Sequence, residues 1–449
     1  MNLFMNKTQR NCIIFFLIIL GCFGIYKTFF VQKVHVFTDM RNRVVGARLM
    51  KDGILPYHYH WHPGDNLKYV VQRTIDTNRF RHVSIISASP FFHRILSPVA
   101  NYNEPDIVKC FFFFNYALLF FMAIIAWYES RNPLLVLLFF VPFLFTDGWL
   151  HHIQLSQYYL LFGFLLFMAA YTLLKGKMYA AALFLALAIL FKPSCIIFLI
   201  PFFLYFKTYR KFLLGSGMLL SVYALIVCFL PFEKSNWVEY FGSIKEHAAI
   251  HQMKVVYPPG NFDMDAVLPA VFEGENIQEQ KRLGIEDEWV NPVVTNFMHV
   301  YKKFTGGKFP PTALLEFLTL SSLALLIFFI YKMNRKKATA PLPVQPLILA
   351  GFVFYFIANF FAPINSPPYQ MVQWMAVAAI FIMEYKKIPN VFLLLLLMGI
   401  FINLRYIPDF PGKHAACEMI CMVAAIGAIF RGRWALNAES EKIVTGKIK

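Results

Sequence analysis

LSQYYLLFGFLLFMAAYTLLKGKMYAAALFLALAILFKPS, residues 155–194, carries two apolar runs back to back. The first ends at Lys175-Gly176-Lys177 and the second at Lys192-Pro193. No acidic residue occurs in the stretch, and its lysines all sit at the ends of the runs. Runs of this kind cross a bilayer as helices. A short basic connection between two of them marks the cytoplasmic side. The second run is short for a span, which is tolerated where a helix tilts or lines a cavity. The pattern predicts an all-α integral membrane fold, and the rest of the chain extends it.

Of 449 residues, 58% are hydrophobic, 18% aromatic and only 15% charged. That balance excludes an ordinary soluble domain. The 51 Phe residues occur partly in runs, such as 111–114, that suit lipid-facing helices. Apolar segments near 12–30, 108–128, 133–148, 157–174, 178–191, 194–206, 212–230, 311–331, 346–362, 371–384, 388–404 and 414–430 predict about twelve transmembrane helices. Lys7 and Arg10 precede the first. It exceeds a signal-peptide core and lacks a small-residue cleavage site, so it reads as an uncleaved span. All seven Cys lie within or at the edge of apolar segments, which excludes a disulfide framework and a Cys-based zinc site. There is no short repeat and no low-complexity linker. The chain reads as one membrane domain, residues 1–449, with two insertions.

The formal net charge is +17. In a soluble protein that would suggest nucleic acid as a partner; in a polytopic one it follows from topology. With the N-terminus inside, both termini and the connections at 129–132, 175–177, 207–211, 332–345 and 384–387 face the cytoplasm. They hold about 19 Lys and Arg against about 4 Asp and Glu, as the positive-inside rule requires. The outer side then receives long loops at 31–107 and 231–310 and shorter pieces at 147–157 and 363–370. These hold most of the carboxylates and Trp and nearly all the His, so any chemistry belongs to the outer face.

HVFTDMRNRVVGARLMKDGILPY, residues 35–57, follows the first span directly. It reads as a helix from Asp39 to Asp52, with Thr38 or Asp39 as cap and Gly53 and Pro56 at its end. Basic residues are spread around it, so it is expected at the membrane interface with its Arg and Lys stems reaching head groups. Asp39 suits two roles: a helix cap, and a general base toward a hydroxyl beside the bilayer surface. Arg41, Arg43 and Arg48 can bind a phosphate or ordinary anionic head groups. Lys192, between two apolar runs, is costly unless paired or near an interface. It can neutralise a phosphate or simply precede a helix-starting Pro. Asp147, His151, His152, Gln154 and Gln157 can line a sugar site or a solvated loop.

Further polar segments are read more plainly. Residues 66–79 and 236–253 read as helices. Asn261 and Asp263, after Pro258-Pro259-Gly260, suit a turn and a helix cap. His58, His60 and His62 alternate as metal ligands on a strand would, yet no acid or Cys spacing supports a metal. No phosphate-cradling glycine loop is present, so neither a nucleotide nor a cofactor is indicated.

In order along the chain, Asp39 with its helix to Gly53-x-x-Pro56-Tyr57, the 155–194 stretch, Gly260-Asn261 and the turn at 363–370 resemble glycosyltransferase family 87, within the GT-C superfamily. Ser156 stands where the family has Gly before Gln157. Phe262-Asp263 replaces Gln-Ser, and Pro368, Tyr369 and Gln370 occupy the late turn in place of Trp and His. The resemblance implies a GT-C bundle with interfacial helices in its outer loops, in a cell inner membrane with both termini cytoplasmic. It implies a polyprenyl-phosphate sugar donor, mannose-like, and a lipid or glycan acceptor. Asp39 would deprotonate the acceptor hydroxyl, with inversion at the anomeric carbon and no metal. Lys192 and an Arg near Asp39, taken as Arg41, would stabilise the leaving phosphate, an electrostatic role. Gln157 and Asn261 would orient donor or loop, with Asp147 and His152 beside the sugar.

Two other classes compete. A transporter or flippase of lipid-linked saccharides would favour internal repeats, of which there are none, and mid-span charges, of which there are few. A polymerase shares the large outer loop, but an acid just after the first span is not its expected signature.

Overall fold

The computed structural model describes residues 7–34, 38–59, 65–69, 86–102, 104–251, 296–306, 309–335, 343–364, 367–408, 410, 412–432 and 434. Among them the fold is helical, with one isolated antiparallel bridge between Thr146 and Leu404. The helices are α1 (Lys7–Val34), α2 (Thr38–Lys51), α3 (Pro90–Leu96), α4 (Glu104–Ser130), α5 (Pro133–Phe143), α6 (Asp147–Gln154), α7 (Tyr159–Leu174) and α8 (Met178–Phe191). A 3-10 segment (Pro193–Leu199) leads to α9 (Ile200–Phe203), α10 (Phe206–Phe229) and α11 (Pro231–His251). Then come α12 (Phe297–Phe304), α13 (Thr312–Arg335), α14 (Val344–Phe360), a 3-10 segment (Pro368–Gln373), α15 (Trp374–Met383), α16 (Asn390–Ile402) and α17 (Lys413–Arg431).

Among the described residues, five helices are long and apolar enough to cross a membrane: α1, α4, α10, α13 and α17. A sixth span results if α6 and α7, bent by 115° at a short break, count as one. The other apolar helices have 10–17 residues, so the expected count of about twelve is not reached by length and composition. Burial explains how the short ones persist. In α15 every residue from Trp374 to Ile382 is at most 1% exposed, walled by α4, α5 and α7. Its Trp374 ring stacks on Phe356 of α14 at 4.0 Å. A helix enclosed by protein need not match the bilayer thickness, because its own backbone satisfies its polar groups. The five long helices instead present rings and aliphatic chains outward, among them Phe15, Phe113, Leu225 and Phe317.

The helix after the first span forms as the sequence reads, from Thr38 to Lys51. Gly53 takes φ +77°, Ile54 N–H donates to the Leu49 carbonyl and Gly53 N–H to that of Met50. This is a Schellman ending, which needs a residue free to adopt a left-handed backbone. The expected reach of its arginines to head groups is corrected. Residues 40–50 are all buried, with Arg41 at 1% and Arg48 at 0% exposure. The arginines do not fan out to head groups; protein carbonyls and side chains receive them. Arg48 donates to the Ala100 carbonyl at 2.8 Å and to that of Lys68 at 3.2 Å. Composition cannot distinguish a wet polar helix from one whose donors are all met by neighbours.

α2 is clasped by α3, by the 3-10 turns at Leu67–Tyr69 and Ser97–Val99, and by α4. Ser89 caps α3, accepting from Phe92 N–H at 3.3 Å, and its hydroxyl donates to the Leu190 carbonyl, tying α3 to α8. His93 of α3 then lies against Gly46, where a Cβ would run into the imidazole ring. Its Nδ1 bonds the Arg43 carbonyl at 3.1 Å. The expected helix at 66–79 is seen only as its first turn, and the rest lies outside the described residues. The helix expected at 236–253 starts earlier, at Pro231.

Candidate active site

Asp39 sits in the first turn of α2, half-buried, where the chain has just left α1. Arg43 lies one turn on, so both side chains share a face of the helix. Between them comes Gln157, from the corner between α6 and α7. Its amide Nε2 donates to the Asp39 carboxylate, and its Oε1 accepts from Arg43 Nη2 at 2.6 Å. Arg43 Nη1 also donates to the Ser156 carbonyl at 3.3 Å. The guanidinium lies 4.1 Å from the centre of the Tyr158 ring, a cation–π contact. Tyr158 in turn stacks on Phe92 at 4.7 Å. Burial drives the Asp39 carboxyl above its ordinary pKa, and the Arg43 charge opposes but does not cancel that shift.

The corner that delivers Gln157 is built by its own sequence. Thr146 caps α6, accepting from Trp149 N–H at 3.2 Å. α6 stops at Gln154, and Ser156 turns the chain at φ +47°. Gln157 N–H then donates back to the His152 carbonyl at 2.9 Å. Ser156 is the position where the family resemblance expects Gly, and a positive φ is what Gly adopts freely.

A second polar group lies along α7. Lys192 is the C-terminal cap of α8, in extended backbone just before the 3-10 segment. Its Nζ donates to the Tyr355 hydroxyl at 3.0 Å and to Asn359 Oδ1 at 3.3 Å. It lies over the rings of Tyr159 at 4.9 Å, Tyr355 at 5.2 Å and Phe162 at 5.9 Å. Tyr355 donates onward to Gln373 Oε1 at 2.6 Å, and Gln373 Nε2 donates to the Gln370 carbonyl at 3.3 Å. No carboxylate lies within 4 Å of Lys192 among the described residues. Tyr159 packs on Tyr369 at 5.2 Å and stacks on Tyr158 at 5.7 Å. Aromatic rings therefore connect the Asp39 group to the Lys192 group.

The remaining sequence candidates fall as follows. Arg41 is buried in α2, while Arg43 is the arginine in contact with Gln157. His152 is fully buried beside the corner, its Nε2 3.1 Å from Asn115 Oδ1. Asp147 faces the start of α17, in an ion pair with Lys413 at 3.0 Å. Asn261 and Asp263 lie outside the described residues, as do His60 and His62. His58 meets Glu246 at 3.6 Å, both half-exposed. No group of three or more His, Cys, Asp or Glu able to hold a metal occurs among the described residues.

Tyr158, Tyr159, Tyr355, Asn359 and Gln373 were not singled out from sequence. The signal for two of them was present: Tyr355 and Asn359 are the polar residues in the second half of α14, spaced i and i+4 on one face. Polar side chains inside an apolar helix tend to mark a pathway or site.

No curated protein and no solved structure matches the chain. The matched segment contains Gln157 and Lys192 and starts after α2, so it omits Asp39 and Arg43. Residues 89–272 match the model of Glycosyltransferase family 87, the same family the ordered motifs resemble, and that family implies a membrane glycosyltransferase.

Proposed function

We propose that the protein transfers a hexose from a polyprenyl-phosphate sugar to a hydroxyl of a lipid or glycan acceptor, at the outer face of a cell inner membrane. The observation that carries this reading is the carboxylate of Asp39 held by Gln157, with Arg43 behind it. A base needs a fixed geometry and a pKa drawn toward neutrality, and burial supplies the second. The Arg43 charge opposes that shift and so favours the ionised form. Gln157 gives one amide N–H to Asp39, which fixes the carboxylate and leaves it lone pairs for an incoming hydroxyl.

The acceptor oxygen attacks the anomeric carbon as Asp39 takes its proton. The bond from that carbon to the phosphate oxygen breaks, and the polyprenyl phosphate leaves with the electron pair, inverting the centre. Lys192 suits the leaving group. An ammonium has three donors, two of which are taken by Tyr355 and Asn359 among the described residues. The third is left to meet phosphate oxygen, with the buried Glu418 acting on the same ammonium from beyond ion-pair distance. The half-buried rings of Tyr159 and Tyr369 offer aromatic surface on which a sugar ring can pack.

The test is Asp39→Asn in membrane vesicles supplied with polyprenyl-phosphate sugars and acceptor lipid. Loss of a general base costs roughly 10²–10⁴-fold in rate, with donor binding retained. A folded variant that transfers sugar at the wild-type rate sinks the assignment.

A further inference from the structure

The described cavity of about 610 Å³ lies away from this site. It opens between α5 and α16, at the loop joining α15 to α16. That end of the bundle is the one with the basic loops. α4 ends there, and its Glu129 pairs with Lys175, at the end of α7, at 2.8 Å. α7 begins near the candidate active site and runs 16 residues, so the two ends are separated by roughly 24 Å at 1.5 Å per residue. The cavity lining divides by chemistry. Lys386 and Asn390, both exposed, stand with Lys387 at the end where α16 starts, its mouth, and the less exposed Leu135, Leu138 and Leu397 lie further along α5 and α16. Both α5 and α16 begin at the mouth, at Pro133 and Asn390, so the positive ends of two helix dipoles add to the lysines. Glu384 occupies Lys387 at 2.7 Å. Lys386 is exposed, 5.8 Å from the centre of the Tyr385 ring.

From this division we propose that the groove is a binding site for an anionic glycerophospholipid, separate from the sugar-transfer site. The headgroup phosphate meets Lys386, and an acyl chain lies between α5 and α16 on the leucines. A cavity of this size suits a headgroup, the glycerol and the first part of a chain, within the range of about 300–1,000 Å³ for small-molecule sites. Basic pockets between membrane helices are where such lipids are held. A zwitterionic lipid would fill the apolar part equally but gain little from the lysine.

The test uses full-length protein purified in detergent, with lipid occupancy read by native mass spectrometry. Short-chain phosphatidylglycerol, short-chain phosphatidylcholine and inorganic phosphate are titrated separately. Wild type is expected to retain phosphatidylglycerol at least ten-fold more tightly than phosphatidylcholine and to show no inorganic phosphate. Lys386→Gln is expected to lower phosphatidylglycerol affinity about five-fold, the worth of one lysine at a lipid surface. Lys386→Arg keeps it, and Leu138→Trp, which fills the groove, loses both lipids. Equal binding of the two lipids by wild type overturns the proposal, as does an unchanged affinity in Lys386→Gln. Binding of inorganic phosphate as tight as that of phosphatidylglycerol overturns it too, since the site would then read an anion and not a lipid.

Discussion

At Asp39 two opposing forces meet, and their balance decides whether the group can act as a base. Desolvation raises the carboxyl pKa and the Arg43 charge lowers it, with desolvation the larger. The acid limb of the transfer rate is therefore expected above the ordinary carboxylate value of 3.8, because the base works only when ionised. For stability the sign is reversed. The folded state binds this proton more readily than the unfolded chain, so Asp39's contribution is greatest at low pH and declines as pH rises through the raised pKa. Arg43→Gln removes the opposing charge and leaves the burial. The acid limb should then move to higher pH, and the plateau rate should fall because Gln157 loses its second anchor. A pH–rate profile on the variant measures both. An acid limb that stays in place would mean Arg43 does not tune Asp39.

Among the elements, the α6–α7 corner is the one whose geometry the site depends on. Ser156 holds φ +47° there, a left-handed conformation costing an ordinary side chain of order 1–2 kcal/mol. The sequence marks this spot as a departure from the family's Gly, and the backbone supplies the reason Gly belongs there. Ser156→Gly trades that strain for extra unfolded-state entropy, two effects of similar size. Stability should shift by no more than about 1 kcal/mol, and transfer should be kept. Ser156→Val puts a β-branched residue at positive φ, which is a true outlier. It should cost about 1–3 kcal/mol and lower the rate by displacing Gln157. Thermal unfolding and vesicle transfer on the pair decide this; a fully active valine variant would show that the corner does not position Gln157. The α7–α8 hairpin around Lys175 and Lys177 was legible because run length and basic turn are local signals. The burial of α2 was not. Its polar face reads identically whether water, head groups or the Ala100 and Lys68 carbonyls receive its arginines.

Over the whole molecule, the contacts that assemble the site join residues far apart in the chain, and this limited what sequence could reveal. Lys192 meets Tyr355 across 163 positions and Gln157 meets Asp39 across 118. Motif order placed Asp39, Gln157 and Lys192 in one family pattern, but nothing local in α14 named its partner. The longest of these ties is also structural. Lys413, at the start of α17, pairs with Asp147 at the start of α6, 266 positions away, and donates to the Leu404 and Ile407 carbonyls. Together with the Thr146–Leu404 bridge it fastens the end of the bundle to the helix that leads into the Gln157 corner. The Lys413 side chain is 1% exposed and that of Asp147 14%. Removing one partner of such a buried pair strands the other charge, at a cost of about 3–5 kcal/mol, whereas removing both can be nearly neutral. Lys413→Met should thus lower the thermal midpoint of the full chain in detergent and reduce transfer. Adding Asp147→Asn should restore at least half of the lost stability. A Lys413→Met protein with the wild-type midpoint would show that the pair does not hold α6 and α17 together, and the corner would need another support.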